Sequence, residues 1–135
     1  MLCDFYELTM AGGYFKKGLH NRTAYFDVFF RTVPDGGGFA IAAGQEQIVE
    51  YIRDLRFTKE DIDFLRAKNL FDEDFLRYLE DFRFTGDIYA VPEGTPVFPY
   101  EPVLTVRAPA IQAQLIETYL LLQINHQSLI ATKAN

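Results

Sequence analysis

The segment GDIYAVPEGTPVFPYEPVLTVRAPAIQAQLIETYLLLQI, residues 86–124, decides the fold class, because its periodicity changes once, near Pro109. Before that point, Asp87 to Val91, Val97 to Phe98 and Val103 to Arg107 are short runs rich in β-branched and aromatic residues. Pro92-Glu93-Gly94 and Pro99-Tyr100-Glu101-Pro102 separate them with turn chemistry. The spacing predicts a small antiparallel or barrel-like sheet. After that point, Pro109 falls where a fixed φ suits the first helical position. Ala110 to at least Lys133 then predicts one long helix, apolar around much of its circumference through Tyr119 to Leu122 and Ile124. Such a helix must be buried against another layer. No Gly or Pro stop signal follows before Asn135, which predicts a longer polypeptide.

Working back toward the N-terminus, Asp4 with Glu7 forms a helix-capping pair, and Phe5, Leu8, Gly12 and Phe15 share one helical face. The first helix is expected from Asp4 to about Lys17. Gly12 and Gly13 each weaken it by roughly 1 kcal/mol against alanine, which predicts a close approach by backbone or ligand there. Thr23 to Val33 predicts a strand with Ala24, Phe26, Val28 and Phe30 on one face and Tyr25, Asp27, Phe29 and Arg31 on the other. Pro34, Asp35 and Gly36 to Gly38 predict a loop, and Phe39 to Ala43 a short strand. Gly44 opens a helix carrying Ile48, Ile52 and Leu55. Thr58 and Asp72 cap two further short helices. Asp-Phe-Leu-Arg occurs at residues 63–66 and 74–77, but no repeat of useful period follows. No linker or low-complexity stretch divides the chain, and the fold class is α+β.

Composition narrows the function. With 13 basic against 19 acidic residues the net charge is -6, so no basic field attracts nucleic acid or an anionic membrane. The single cysteine, Cys3, precludes an internal disulfide and favours the cytoplasm. No segment approaches the roughly 20 apolar residues of a membrane span. The 13 Phe and 8 Tyr supply core volume.

Chemistry-bearing motifs of high specificity are absent: no phosphate loop, no paired metal cysteines, no nucleophile elbow. The Gly36 to Gly38 run reads as a turn rather than an anion cradle. His20 and His126 stand away from any partner at metal-ligand spacing and read as structural, and Lys133 reads as an exposed or snorkelling side chain. Arg31 shares a strand face with Asp27, yet four residues of strand separate them by roughly 13 Å. It is available for an anionic ligand such as a phosphate, with surface solvation an equally good account.

Asp4-Phe5-Tyr6-Glu7-Leu8-Thr9-Met10-Ala11 resembles the opening signature of nicotinate phosphoribosyltransferases, Thr-Asp-x-Tyr-Glu-Leu-Thr-Met, with Cys3 in place of the threonine. Further segments follow in the family's order: Phe29-Phe30-Arg31; Gly37-Gly38-Phe39-Ala40 with Ala43-Gly44; Phe84-Thr85-Gly86-Asp87; Pro92-Glu93-Gly94; and Gln127 to Ala134. The resemblance implies the N-terminal α+β domain of the nicotinate/quinolinate type, with a hammerhead, barrel-like sheet, over residues 1–108. Residues 109–135 would be the helix entering a catalytic α/β barrel that this chain lacks. It implies formation of nicotinate mononucleotide from nicotinate and phosphoribosyl pyrophosphate, with Mg2+ and ATP bound through the missing region and no catalytic residue here. Tyr6 matches the tyrosine that stacks on the nicotinate ring across a homodimer interface. Asp4 matches the acid beside it, with the helix cap as an alternative, and Arg31 matches an arginine directed at phosphate. Neither histidine matches the family's phosphorylated one.

Three other readings compete. A nicotinamide or quinolinate enzyme of the same fold group differs mainly at positions beyond Asn135, and Glu7-Leu8-Thr9-Met10 favours nicotinate. A biotin or lipoyl carrier needs a hairpin lysine that these turns lack. A stand-alone interaction domain would bury its last helix in a partner.

Overall fold

A computed structural model describes residues 1–33 and 36–134. Pro34 and Asp35, placed in a loop by the sequence, and Asn135 lie outside the described residues. The elements in order are α1 (Phe5–Lys16), β1 (Thr23–Phe29), β2 (Ala40–Ile41), α2 (Gln45–Asp54), α3 (Lys59–Ala67), α4 (Glu73–Glu80), β3 (Asp87–Ala90), β4 (Pro96–Val97), β5 (Pro102–Pro109) and α5 (Ala110–Ala134). The fold is α+β.

Strand β5 is the centre of a three-stranded antiparallel sheet, ordered β1-β5-β3, while β2 and β4 form a separate antiparallel pair. Register follows the alternation of side chains. Phe26 stands opposite Val106, which stands opposite Ile88, and Val28 pairs Leu104 opposite Ala90; these residues form the inner face. The outer face carries Tyr25, Arg107 and Asp87 in one row and Asp27, Thr105 and Tyr89 in the next. Arg107 donates to Asp87 at 2.9 Å and to the Tyr25 hydroxyl at 3.1 Å, and Thr105 donates to Asp27 at 2.6 Å.

Strand β1 stops at Phe29, four residues short of the expected Val33. A bulge intervenes after Val28: Phe29 pairs Pro102, so Val103 is the extra residue on β5. That is why Val103 and Leu104 are both buried although adjacent. Beyond Pro102 the neighbouring segment turns away, with Tyr100 at φ 67°, and a Tyr100 N–H to Phe30 carbonyl bond of 2.8 Å continues the contact. Arg31 consequently lies in a bend after the strand rather than on it.

The helical half packs on the inner face of the sheet. Helix α5 buries Ile111, Leu115, Ile116, Leu120 and Ile124 against α1, α2, β1, β2 and β5. At roughly 1.5–3 kcal/mol for each such side chain, this helix is the principal element of the core. Pro109, expected as the first helical residue, instead ends β5 opposite Thr23, and the helix starts at Ala110, whose N–H donates to the Arg22 carbonyl at 2.8 Å. Helices α1 and α4 meet through an aromatic cluster, Phe15, Phe71, Phe75 and Tyr78, with His20 4.9 Å from the Phe15 ring. The close backbone approach expected at Gly12 and Gly13 is not found: a Cβ at Gly12 would meet only the rings of Phe71 and Phe75, at ordinary contact distances of 3.5–3.7 Å, and the space beside Gly13 is open.

Candidate site where the first helix meets the last

Helix α1 opens as its sequence dictates. Asp4 is the N-cap residue in extended backbone, and the Glu7 carboxylate accepts from the Asp4 N–H at 3.2 Å. The Glu7 side chain does more than cap, because it turns inward and is fully buried. There it also accepts from the Thr118 N–H at 2.9 Å and the Thr118 hydroxyl at 2.8 Å. Burial pushes its carboxyl above the ordinary 4.5, while the bonds from Thr118 and Asp4 work in the opposite direction. The Asp4 N–H has a second acceptor in the Thr118 hydroxyl at 3.2 Å. Two consecutive residues of α1 thus meet two consecutive residues of α5, for the neighbouring Tyr6 hydroxyl donates to Glu117 Oε1 at 3.1 Å.

Tyr6 remains 47% exposed, although its hydroxyl is tied down. Partial desolvation, then the bond to Glu117 and the surrounding negative charge, push the phenol up to about 12, so it stays a neutral donor across the physiological range. Glu117 is held from its other side, where the amide of buried Gln114 donates to Oε2 at 2.9 Å.

From Glu117 a shallow groove runs between β1 and α5. Phe26, Asp27, Glu117 and Leu121 line its first part, and Asp27, Phe29, Arg31, Leu121 and Asn125 its second. Glu117, Leu121 and Asn125 follow at helical spacing, so Tyr6 and Arg31 stand at opposite ends of about 12 Å of helix. Tyr6 and Asp4 are brought together and Arg31 is set apart. The hollow beside exposed Arg31 also contains Asp27, whose carboxylate accepts from Thr105. Glu117, Gln114 and Thr118 escaped sequence reasoning. Their only signal was polarity on the otherwise apolar turn 114–118.

The remaining matched segments hold the scaffold. Glu93 Oε1 accepts from the N–H groups of Gly44 and Gln45 at 2.9 Å each, and so caps α2 from a distant turn. Ser128 and Thr132 of α5 accept from the Ala43 and Ile41 N–H groups at 3.1 and 2.9 Å. Gly86 lies against the main chain of Arg107 and Ala108. His126 is exposed on α5. Among the described residues no three His, Cys, Asp or Glu side chains are placed to hold a metal ion, and no helix is long and apolar enough to cross a membrane.

An α+β domain with a bulged antiparallel sheet backed by one long helix is the fold that a nicotinate-nucleotide pyrophosphorylase of Pyrococcus furiosus shares over 90% of this chain, at TM-score 0.64 and 21% identity. The chain belongs to the nicotinate phosphoribosyltransferase N-terminal domain family, whose model matches residues 1–125. It is 45% identical over 99% of its length to nicotinate phosphoribosyltransferase pncB2 of Mycobacterium tuberculosis, and 44% identical over 97% to the nicotinate phosphoribosyltransferase of Bacillus subtilis. The crystal structure of human nicotinic acid phosphoribosyltransferase superposes on 99% of the chain at TM-score 0.92 and 38% identity. The chain spans 29%, 27% and 27% of these three proteins.

Proposed function

We propose that the protein carrying this chain forms nicotinate mononucleotide from nicotinate and phosphoribosyl pyrophosphate, coupled to ATP hydrolysis in NAD biosynthesis, and that this domain supplies one wall of the pyridine site. The observation that carries the reading is likeness at 44–45% identity along nearly the whole chain to proteins of that name. The half-exposed, tethered ring of Tyr6 supports the site.

The reaction breaks the bond from ribose C1 to pyrophosphate and forms a bond from C1 to the pyridine nitrogen, whose lone pair supplies the electrons; the charge remains on the pyridinium and no proton is lost. A barrier of this kind is lowered mainly by orientation and charge stabilisation. Tyr6 offers a flat apolar face against which a pyridine ring is held in line, reaching the neighbouring subunit's site in a homodimer. Asp4 keeps the first turn of α1 in place beside it. Arg31 offers a guanidinium to phosphate oxygens of the donor, with a geometry suited to bidentate contact. Magnesium and ATP, when bound, neutralise charge on the donor and drive the equilibrium. Both are proposed to bind through the remainder of the full-length enzyme. The cytoplasm is the compartment this chemistry suits.

The test is pyrophosphate release by the full-length protein with nicotinate, nicotinamide or quinolinate as acceptor. Nicotinate is expected to support turnover, and preference for either alternative would overturn the reading. Tyr6→Ala should raise the KM for nicotinate by about tenfold, the equivalent of ~1.4 kcal/mol of lost ring contact, and leave the donor KM nearly unchanged.

A further inference from the structure

We infer that Glu117, held in place by Gln114, is a positioning residue that sets the orientation of the Tyr6 ring toward the pyridine substrate. The inference rests on the role of Tyr6 proposed above and extends it to two residues that do not themselves reach the ring's open face.

The argument is one of constraint. A tyrosine at the first turn of a helix, 47% exposed, would ordinarily sample several rotamers at its tip. Here it is fixed at both ends. The main chain beside it is tied to α5 through Glu7, which accepts from the Thr118 N–H and hydroxyl at 2.9 and 2.8 Å. The phenol tip is tied to the same turn of α5 through Glu117, at 3.1 Å. Glu117 is not free to follow the phenol, because its second oxygen accepts from Gln114, an amide only 3% exposed. Gln114 and Glu117 lie three residues apart on one face of α5, which places their side chains together without strain. The buried amide thereby fixes the carboxylate, and the carboxylate fixes the phenol. Glu117 also borders the groove that leads toward Arg31, so the ring is set relative to that groove and not merely to its own helix.

Steady-state kinetics of the full-length enzyme, with nicotinate and phosphoribosyl pyrophosphate varied separately, tests the inference. Glu117→Ala should raise the nicotinate KM by roughly threefold to tenfold, the loss of one hydrogen bond, with kcat and the donor KM within about twofold. Glu117→Gln keeps one acceptor for the Tyr6 hydroxyl, with the Gln114 amide turned so that its oxygen accepts from the new NH2, and should restore most of the difference. Tyr6→Phe removes the same bond from the other end, so it should match Glu117→Ala, and the double variant should be no worse than either alone. Additive effects would overturn the inference. So would an unchanged nicotinate KM in Glu117→Ala when Tyr6→Ala raises it, which leaves the role of Tyr6 standing. If Tyr6→Ala has no effect on the nicotinate KM, the role of Tyr6 falls and this inference falls with it. An equal rise in both KM values with a lowered Tm would identify a purely structural contact and also refute it.

Discussion

Gly44→Ala should destabilise the protein by about 2–5 kcal/mol, from two independent causes. Gly44 caps α2 at φ 105°, a conformation that an L side chain rarely adopts, for a cost of about 1–2 kcal/mol. A Cβ there would also stand 2.9 Å from the Gln123 carbonyl oxygen, 3.2 Å from its carbon and 3.2 Å from the Gln127 Cβ. The opposing atoms belong mostly to the main chain of α5, where the ladder of helical hydrogen bonds prevents rotation out of the way. Overpacking of this kind adds about 1–3 kcal/mol. The sum is a large share of the ~5–15 kcal/mol that holds a domain folded. Gly13→Ala is the control: it lies inside α1, has open space where the methyl group would go, and should stabilise by about 0.5–1 kcal/mol. Urea titrations followed by circular dichroism would read both. A Gly44→Ala unfolding free energy within about 0.5 kcal/mol of wild type would refute the close α2–α5 approach, since an ordinary surface change has that size.

Glu7→Gln should change how stability depends on pH. Burial raises the folded carboxyl above its ordinary 4.5, so the folded state binds the proton more tightly than the unfolded state. The stability from this group is therefore fully present below about pH 4.5 and is lost as pH rises through the folded value. Wild type should gain on the variant as acid is added, and parallel urea midpoints between about pH 4 and 8 would contradict the burial of a titrating Glu7. Glu93→Ala should cost about 1–2 kcal/mol by leaving the Gly44 and Gln45 N–H groups without their acceptor, and an unchanged urea midpoint would show that solvent replaces it. Burial, then the negative charge of Glu7, push the Cys3 thiol up to about 11, so its alkylation near pH 8 should be slower than that of a free cysteine by on the order of a hundredfold. Similar rates in native and urea-unfolded protein would exclude that environment.

Much of the architecture was legible in the chain because it depends on neighbours close in sequence. The caps at Asp4, Thr58 and Asp72, the turns at Pro92 to Gly94 and Pro99 to Pro102, and the length of α5 all follow from spacing within a few residues. The errors fell where a distant partner decides. Strand β1 ends early because β5 bulges at Val103 and then turns away, and Pro109 completes a strand because Thr23 lies opposite it. Neither fact is encoded near the residue it affects.

The candidate site divides in the same way. The chain by itself settled that Tyr6 opens a helix beside a capping acid, that Arg31 closes an aromatic run, and that the long final helix must be covered. Packing between distant segments accounts for the rest: Glu7 is buried, Glu93 caps a helix far from it in the chain, and Tyr6 is tethered to Glu117 across 111 positions. A hydrogen bond across that separation has no periodicity to betray it; it exists because packing of α5 on the sheet brings one particular turn, Gln114 to Thr118, against the first turn of α1.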